Sequence, residues 1–265
     1  MKKLSLVVPC YNEENTLFSC ITGVMRLKSD TLDLEVIIVD DCSSDNGLQI
    51  ARQLAKKHAN VVVLRNEVNR GKGAALRVGF EYACRKGGGD YIGVQDADNE
   101  YNPMEYKLLL EPLMDGRADA VYGSRYLRQG PWRVQAFWHT QVNHFLTLFS
   151  NMFTNLNVSD VETCYKLFRS DVIRGLLPRL REDRFGFDPE VTALVAQMGC
   201  SVYECPISYN PRGYEQGKKI GWRDGISTMY CILRLGLRHL MENLRNRLPI
   251  LRRFRTTPLK PMRRH

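Results

Sequence analysis

Tyr91-Ile92-Gly93-Val94-Gln95-Asp96-Ala97-Asp98 decides the reading of this chain. Four residues without a charge run directly into two carboxylates spaced i, i+2. A short continuous run of this kind is a strand buried on both faces, as parallel sheets require. On extended backbone the spacing places Asp96 and Asp98 on one face. Two close carboxylates repel one another unless a cation lies between them. Oxygen ligands of this type suit Mg²⁺ or Mn²⁺, which keep some water and bind substrate phosphates.

The same pattern recurs along the first half of the chain. Leu4–Val8 ends at Pro9, Leu34–Val39 ends at Asp40-Asp41, and Val61–Leu64 is a third short run. Between them, 14–29, 44–58 and 73–85 carry apolar residues at helical spacing. Strands alternating with amphipathic helices predict βαβ units and a parallel sheet. Ligands of such sheets sit beyond the carboxyl ends of the strands. The residues that follow each strand are therefore the candidates. Tyr11, in Pro9-Cys10-Tyr11-Asn12-Glu13-Glu14, offers a ring to a nucleobase, and Glu13 offers an acceptor. An acid at Asp40-Asp41 can accept hydrogen bonds from a ribose or a base edge. Asn69-Arg70-Gly71-Lys72-Gly73 opens a helix, where glycines allow close backbone approach and Lys72 favours negative charge. It is neither a Walker A loop nor Gly-x-Gly-x-x-Gly, since Leu76 takes the third glycine's place. A nucleotidyltransferase would carry a glycine-rich basic loop directly after the first strand; here that place holds Pro9-Cys10-Tyr11-Asn12-Glu13.

Taken in order, these four loops and Gly123-Ser124-Arg125-Tyr126 resemble the family 2 glycosyltransferases, and most of all the polyprenyl-phosphate (dolichyl-phosphate) sugar transferases. The resemblance continues through 160–166, 185–190 and 206–212. It implies an α/β fold of the GT-A, Rossmann-like type: a mostly parallel central sheet flanked by helices, here with a C-terminal amphipathic helix. It implies a nucleotide-sugar donor, UDP- or GDP-linked, a divalent metal, and inversion at the anomeric carbon. Carried over by residue, Pro9, Tyr11 and Glu13 hold base and ribose, with Asp40 on the base. Asp96 and Asp98 hold the metal and the donor diphosphate, and Lys72 supports them. Glu100 stands where several relatives place a metal-binding Gln. Arg125 binds phosphate, and Arg212 with Lys218 or Lys219 meets the acceptor phosphate. A polyprenyl phosphate is already ionised and needs no general base. A saccharide hydroxyl, the alternative acceptor, needs one, with Asp188, Glu190 and Glu162 as candidates. Residues 1–221 form the catalytic domain, with a nucleotide-sugar half over 1–126 and an acceptor half over 127–221; 222–265 is the amphipathic helix and basic tail.

Composition narrows the remaining classes. None of the eight cysteines forms a Cys-x-x-Cys pair, which argues against a zinc site. The N-terminus carries no signal-peptide pattern, so reduced thiols and a cytoplasmic location are expected. The net charge of +9 resides at one end: residues 234–265 hold ten Lys and Arg against Glu242 alone. Such a tail fits an anionic membrane surface. Nucleic acid is not the expected partner: a non-catalytic lipid- or nucleic-acid-binding module would explain the tail but not the acids at the strand ends. The segment 134–157 is aromatic and apolar, but His139, Asn143, Asn151 and Asn155 interrupt it. It predicts a core helix pair or an interfacial helix, not a membrane span. Met229, Leu233, Leu237, Leu240, Leu244 and Leu248 recur at helical spacing among arginines, which predicts a helix lying in an interface. Peripheral attachment to the cytoplasmic face of a membrane follows as the expectation.

Overall fold

The computed structural model describes residues 1–213 and 222–247. Seven strands form one sheet in the order β3-β2-β1-β4-β6-β5-β7. Strand β1 (Lys2–Cys10) pairs in parallel with β2 (Leu32–Asp40) on one side and with β4 (Tyr91–Val94) on the other. β3 (Val61–Arg65) pairs in parallel with β2 at the edge. Leu4, Leu6, Val7, Val8 and Val36 to Val39 are all buried, which is why these strands read as unbroken apolar runs.

Helices α1 (Leu17–Met25), α2 (Gly47–Lys57) and α3 (Lys72–Tyr82) make the crossovers. From β1 the chain moves outward to β2 and β3, and α3 then carries it back to β4 on the other side of β1. The strand order therefore reverses between β1 and β4, and a crevice opens at their carboxyl ends. Pro9 to Glu13 and Gln95 to Asp98 flank that crevice.

The second half differs from an all-parallel sheet at one strand. β5 (Ala120–Ser124) and β7 (Val202–Pro206) run with the others, but β6 (Lys166–Arg169) is antiparallel to both its neighbours. The chain between β5 and β6 stays at the carboxyl edge, so β6 starts there, with Lys166 opposite Tyr122. That reversal delivers residues 160–165 to the same edge as Asp96.

The apolar segment 134–157 forms one helix, α5 (Phe137–Thr154), and not a pair. The short helices α4 (Tyr106–Met114) and α6 (Ser170–Leu176) cover the sheet, and α7 (Phe187–Gln197) follows the loop 181–186. The expected C-terminal helix is α8 (Trp222–Arg247), packed on α5 and α7. Thr228, Cys231 and Ile232 form its buried stripe, while Ile226, Tyr230, Leu237 and Met241 are exposed. The side chains of Leu240 and Leu244, Leu248, and the basic end beyond Arg247 lie outside what is described. No helix among the described residues is long and apolar enough to cross a membrane. All eight cysteines are free thiols.

Candidate active site

The crevice is a cavity of about 680 Å³. Much of its wall comes from the carboxyl ends of strands, and α5 and α7 complete it. Asn12 (φ 51°) and Asn99 (φ 61°) turn the chain just past β1 and β4, a left-handed conformation that Asn tolerates better than most residues. Asn12 also ties the first two loops together: its N–H donates to Ser43 Oγ at 3.0 Å, and its Oδ1 accepts from the Ser44 N–H at 2.8 Å.

Pro9, Tyr11, Glu13, Lys72, Asp96, Asp98, Glu100, Arg125, Asp188 and Arg212 all line this one cavity, so the structure gathers almost every residue expected at the site. Lys218 and Lys219 lie outside the described residues. Two described residues are exceptions: the candidate base Glu190 does not line the wall, and neither does the fully buried Asp40. Its Oδ2 accepts from the Ser43 N–H and faces Arg65 at 3.5 Å, while its Oδ1 has no partner. Asp41 is on the wall in its place, with its carboxylate occupied by the N–H groups of Arg70 and Gly71.

The acids are balanced by two cations. Lys72 Nζ lies 3.0 Å from both Asp96 oxygens. Burial opposes its charge, but Asp96 outweighs that and holds the ammonium above its ordinary range. Arg212 forks onto Glu13 at 2.9 and 3.1 Å and reaches Asp98 at 3.4 Å. Glu100 has both oxygens engaged, by the Arg212 N–H at 2.9 Å and by the Tyr209 hydroxyl at 2.7 Å. Burial first, then Asp96 and Glu100, push the Asp98 carboxyl up to about 7.

A hard divalent cation fits this donor set. It would relieve the charge crowding that raises Asp98, and its oxygen preference matches the carboxylates. Among the described residues no three His, Cys, Asp or Glu side chains form a closed cage. Two aspartates with water and ligand oxygens is the arrangement Mg²⁺ and Mn²⁺ favour.

The remaining polar groups hold the walls. Arg125 grips Asp160 with two bonds of 2.7 Å, both residues being buried. Fully buried Lys166 donates to Asp188 at 2.7 Å and to the carbonyls of Val161 and Thr163. Glu190 accepts from the N–H groups of Arg181 and Glu182, which shapes loop 181–186. That loop fills the space beside the glycines of 69–73. A Cβ on Gly73 would stand 2.3 Å from the Glu182 carbonyl oxygen, and one on Gly71 (φ 101°) 2.7 Å from that of Asp183. The backbone these glycines admit is therefore the chain's own. Arg234 of α8 pairs with Glu182, joining α8 to the same loop.

Sequence reasoning did not place Asp160 or Lys166 as wall supports, nor His139 and Asn143 on the wall. The last two were visible as polar interruptions four residues apart in an apolar helix, which mark one distinct face.

Alternating strands and helices, a crevice at the reversal of strand order, and two aspartates at a strand end define a nucleotide-dependent transferase of the α/β class. Residues 5–177 match the family described as glycosyl transferase family 2, and the chain belongs to it and is a glycosyltransferase. It is 28% identical over 243 residues to an undecaprenyl-phosphate mannosyltransferase of Micrococcus luteus, covering 91% of this chain and 97% of that one. It is 26% identical over 221 residues to a dolichyl-phosphate beta-glucosyltransferase of Trichomonas vaginalis, covering 78% of this chain and 65% of that one. Among solved structures, it resembles Mycobacterium tuberculosis glucosyl-3-phosphoglycerate synthase in complex with Mn²⁺, UDP and phosphoglyceric acid. The TM-score is 0.66 at 18% identity, covering 89% of this chain and 78% of that one, a likeness of fold.

Proposed function

We propose that this chain transfers a sugar from a nucleotide sugar to a polyprenyl phosphate at a membrane surface. One observation carries the acceptor. His139 and Asn143 of α5 line the catalytic cavity, while Trp138, Val142, Phe145, Leu148 and Met152 of the same helix stand exposed, each 50% or more. α8, which packs on α5, also carries exposed apolar residues. Exposed apolar area of this extent marks an interaction site, and an interfacial helix lies with its apolar face in the lipid boundary. A lipid phosphate held there meets the cavity at its rim. The M. luteus and T. vaginalis relatives, named for polyprenyl-phosphate acceptors, support the same reading.

In this reading Tyr11 stacks on the base with Pro9 beside it. Asp96 and Asp98 hold Mg²⁺ or Mn²⁺, which supplies charge neutralisation on the donor diphosphate. Lys72 adds a fixed positive charge beside it. An ionised phosphate oxygen of the acceptor forms the new bond to the sugar C1 as the bond to the donor diphosphate breaks, with inversion. Arg125 and Arg212, with Lys218 or Lys219, orient that phosphate. The acceptor oxygen carries no proton, so Asp188 can remain paired with Lys166. The surface sits on the cytoplasmic face of its membrane. The test is transfer of radiolabel from UDP-glucose, UDP-GlcNAc and GDP-mannose to undecaprenyl phosphate with Mn²⁺. Label entering the organic phase from one donor supports the reading, and none from any donor overturns it.

A further inference from the structure

The peptide from Val161 to Thr163 is pinned on both sides. Lys166 Nζ holds the carbonyls of Val161 and Thr163, and the Val161 N–H donates to Thr147 Oγ1 at 3.2 Å. One residue earlier, Asp160 is locked onto Arg125. Glu162 is therefore presented to the cavity from a fixed backbone.

Its carboxylate differs from the others on that wall. Asp96 has Lys72, Asp98 and Glu13 have Arg212, Glu100 has Tyr209, and Asp188 has Lys166. Glu162 Oε1 is sealed from solvent and accepts no hydrogen bond. A buried acceptor without a donor is costly and uncommon. Burial, then the nearby Asp188, push this carboxyl up to about 8. The charges around it are mixed, with Asp188 and Asp160 raising the carboxyl and Lys166 and Arg125 lowering it, so the corner is already balanced and does not call for an ionic ligand. A neutral group rich in hydroxyls fits, and Asn143 and His139 on the facing helix suit the same chemistry.

We propose that Glu162 recognises the transferred sugar, accepting a hydrogen bond from a ring hydroxyl of the donor's hexose. This rests on the nucleotide-sugar reading of the cavity. A buried group built to bond a substrate hydroxyl rejects ligands that lack it, so Glu162 helps set which sugar is carried.

Calorimetry with Mn²⁺ tests this, using UDP-glucose, UDP-GlcNAc and GDP-mannose against free UDP and GDP. Glu162→Ala should weaken the preferred nucleotide sugar about tenfold, as expected for one hydrogen bond lost to a buried acceptor. Affinity for the matching nucleoside diphosphate should stay unchanged. Glu162→Gln, near-isosteric and still an acceptor, should bind between wild type and Glu162→Ala. Wild-type affinity for the nucleotide sugar in Glu162→Ala overturns the proposal. So does equal weakening of sugar-bearing and sugar-free ligands by both variants, which marks a structural role. If the wild-type protein binds no nucleotide sugar, the donor reading itself fails, and the result is distinct from either outcome for Glu162.

Discussion

Asp98 is held in the cavity by Arg212 at 3.4 Å, with its carboxyl raised to about 7 by burial and by Asp96 and Glu100. A cation that binds there stabilises the charge the protein itself disfavours. Asp98→Ala is therefore expected to abolish Mn²⁺-dependent binding of the donor and to lower turnover by about 10²–10³-fold, the size of one lost electrostatic contact in a transition state. Calorimetry and steady-state rates check this, and unchanged donor affinity would remove Asp98 from the metal site. Glu162 gives a pH prediction. Its carboxyl rises from 4.5 to about 8 on folding, so the folded state holds the proton more tightly. Its contribution is full below pH 4.5 and is lost as pH climbs towards 8. Glu162→Gln does not titrate, so it should gain stability over wild type across that range, by roughly 3 kcal/mol at most at pH 7. Denaturant unfolding at pH 5, 7 and 8 measures it, and parallel profiles would contradict it. Asp96 and Asp98 were legible in the sequence because an apolar strand runs straight into them. The isolation of Glu162 was not, since it depends on Lys166 in β6 and Asp188 in α7, which the sequence does not bring together.

Among the elements, β1, β2 and β4 were legible because each is an apolar run buried on both faces, and β3 because its short apolar run repeats the pattern at the half-buried edge. β6 was not: Lys166-Leu167-Phe168-Arg169 is four residues with a charge at each end, and the buried Lys166 is held by long-range partners. α5 was legible as an apolar aromatic segment, but its two faces were not. One carries His139 and Asn143 to the cavity, and the other leaves Trp138 and Phe145 77% and 55% exposed. Exposed side chains can be changed at little cost in stability, within about 0.5 kcal/mol. Trp138→Glu with Phe145→Glu should therefore leave donor binding and the unfolding midpoint unchanged while removing co-sedimentation with anionic liposomes. Retained liposome binding would place the docking surface elsewhere. The contact between loop 181–186 and the start of α3 gives another test. Gly73→Ala must displace the Glu182 carbonyl, so it should cost about 1–3 kcal/mol by overpacking and weaken donor binding through Lys72. A variant as stable as wild type, by thermal melting, would show that the loop yields freely.

For the molecule as a whole, charge and shape point the same way. The basic residues concentrate at 234–265, the exposed apolar residues on α5 and α8, and the acids at the sheet's carboxyl edge. In the proposed reading anionic lipid would attract the first, the acyl boundary would accept the second, and a metal with a nucleotide diphosphate would suit the third. In the proposed reaction the acceptor is a lipid phosphate and not a saccharide hydroxyl. The most direct test offers both at once: radiolabelled nucleotide sugar with Mn²⁺, vesicles carrying undecaprenyl phosphate, and soluble oligosaccharides. Label should move into the vesicle lipid, with one nucleoside diphosphate released per sugar transferred and none in Asp98→Ala. Label appearing in the oligosaccharides, with the lipid unlabelled, would contradict it.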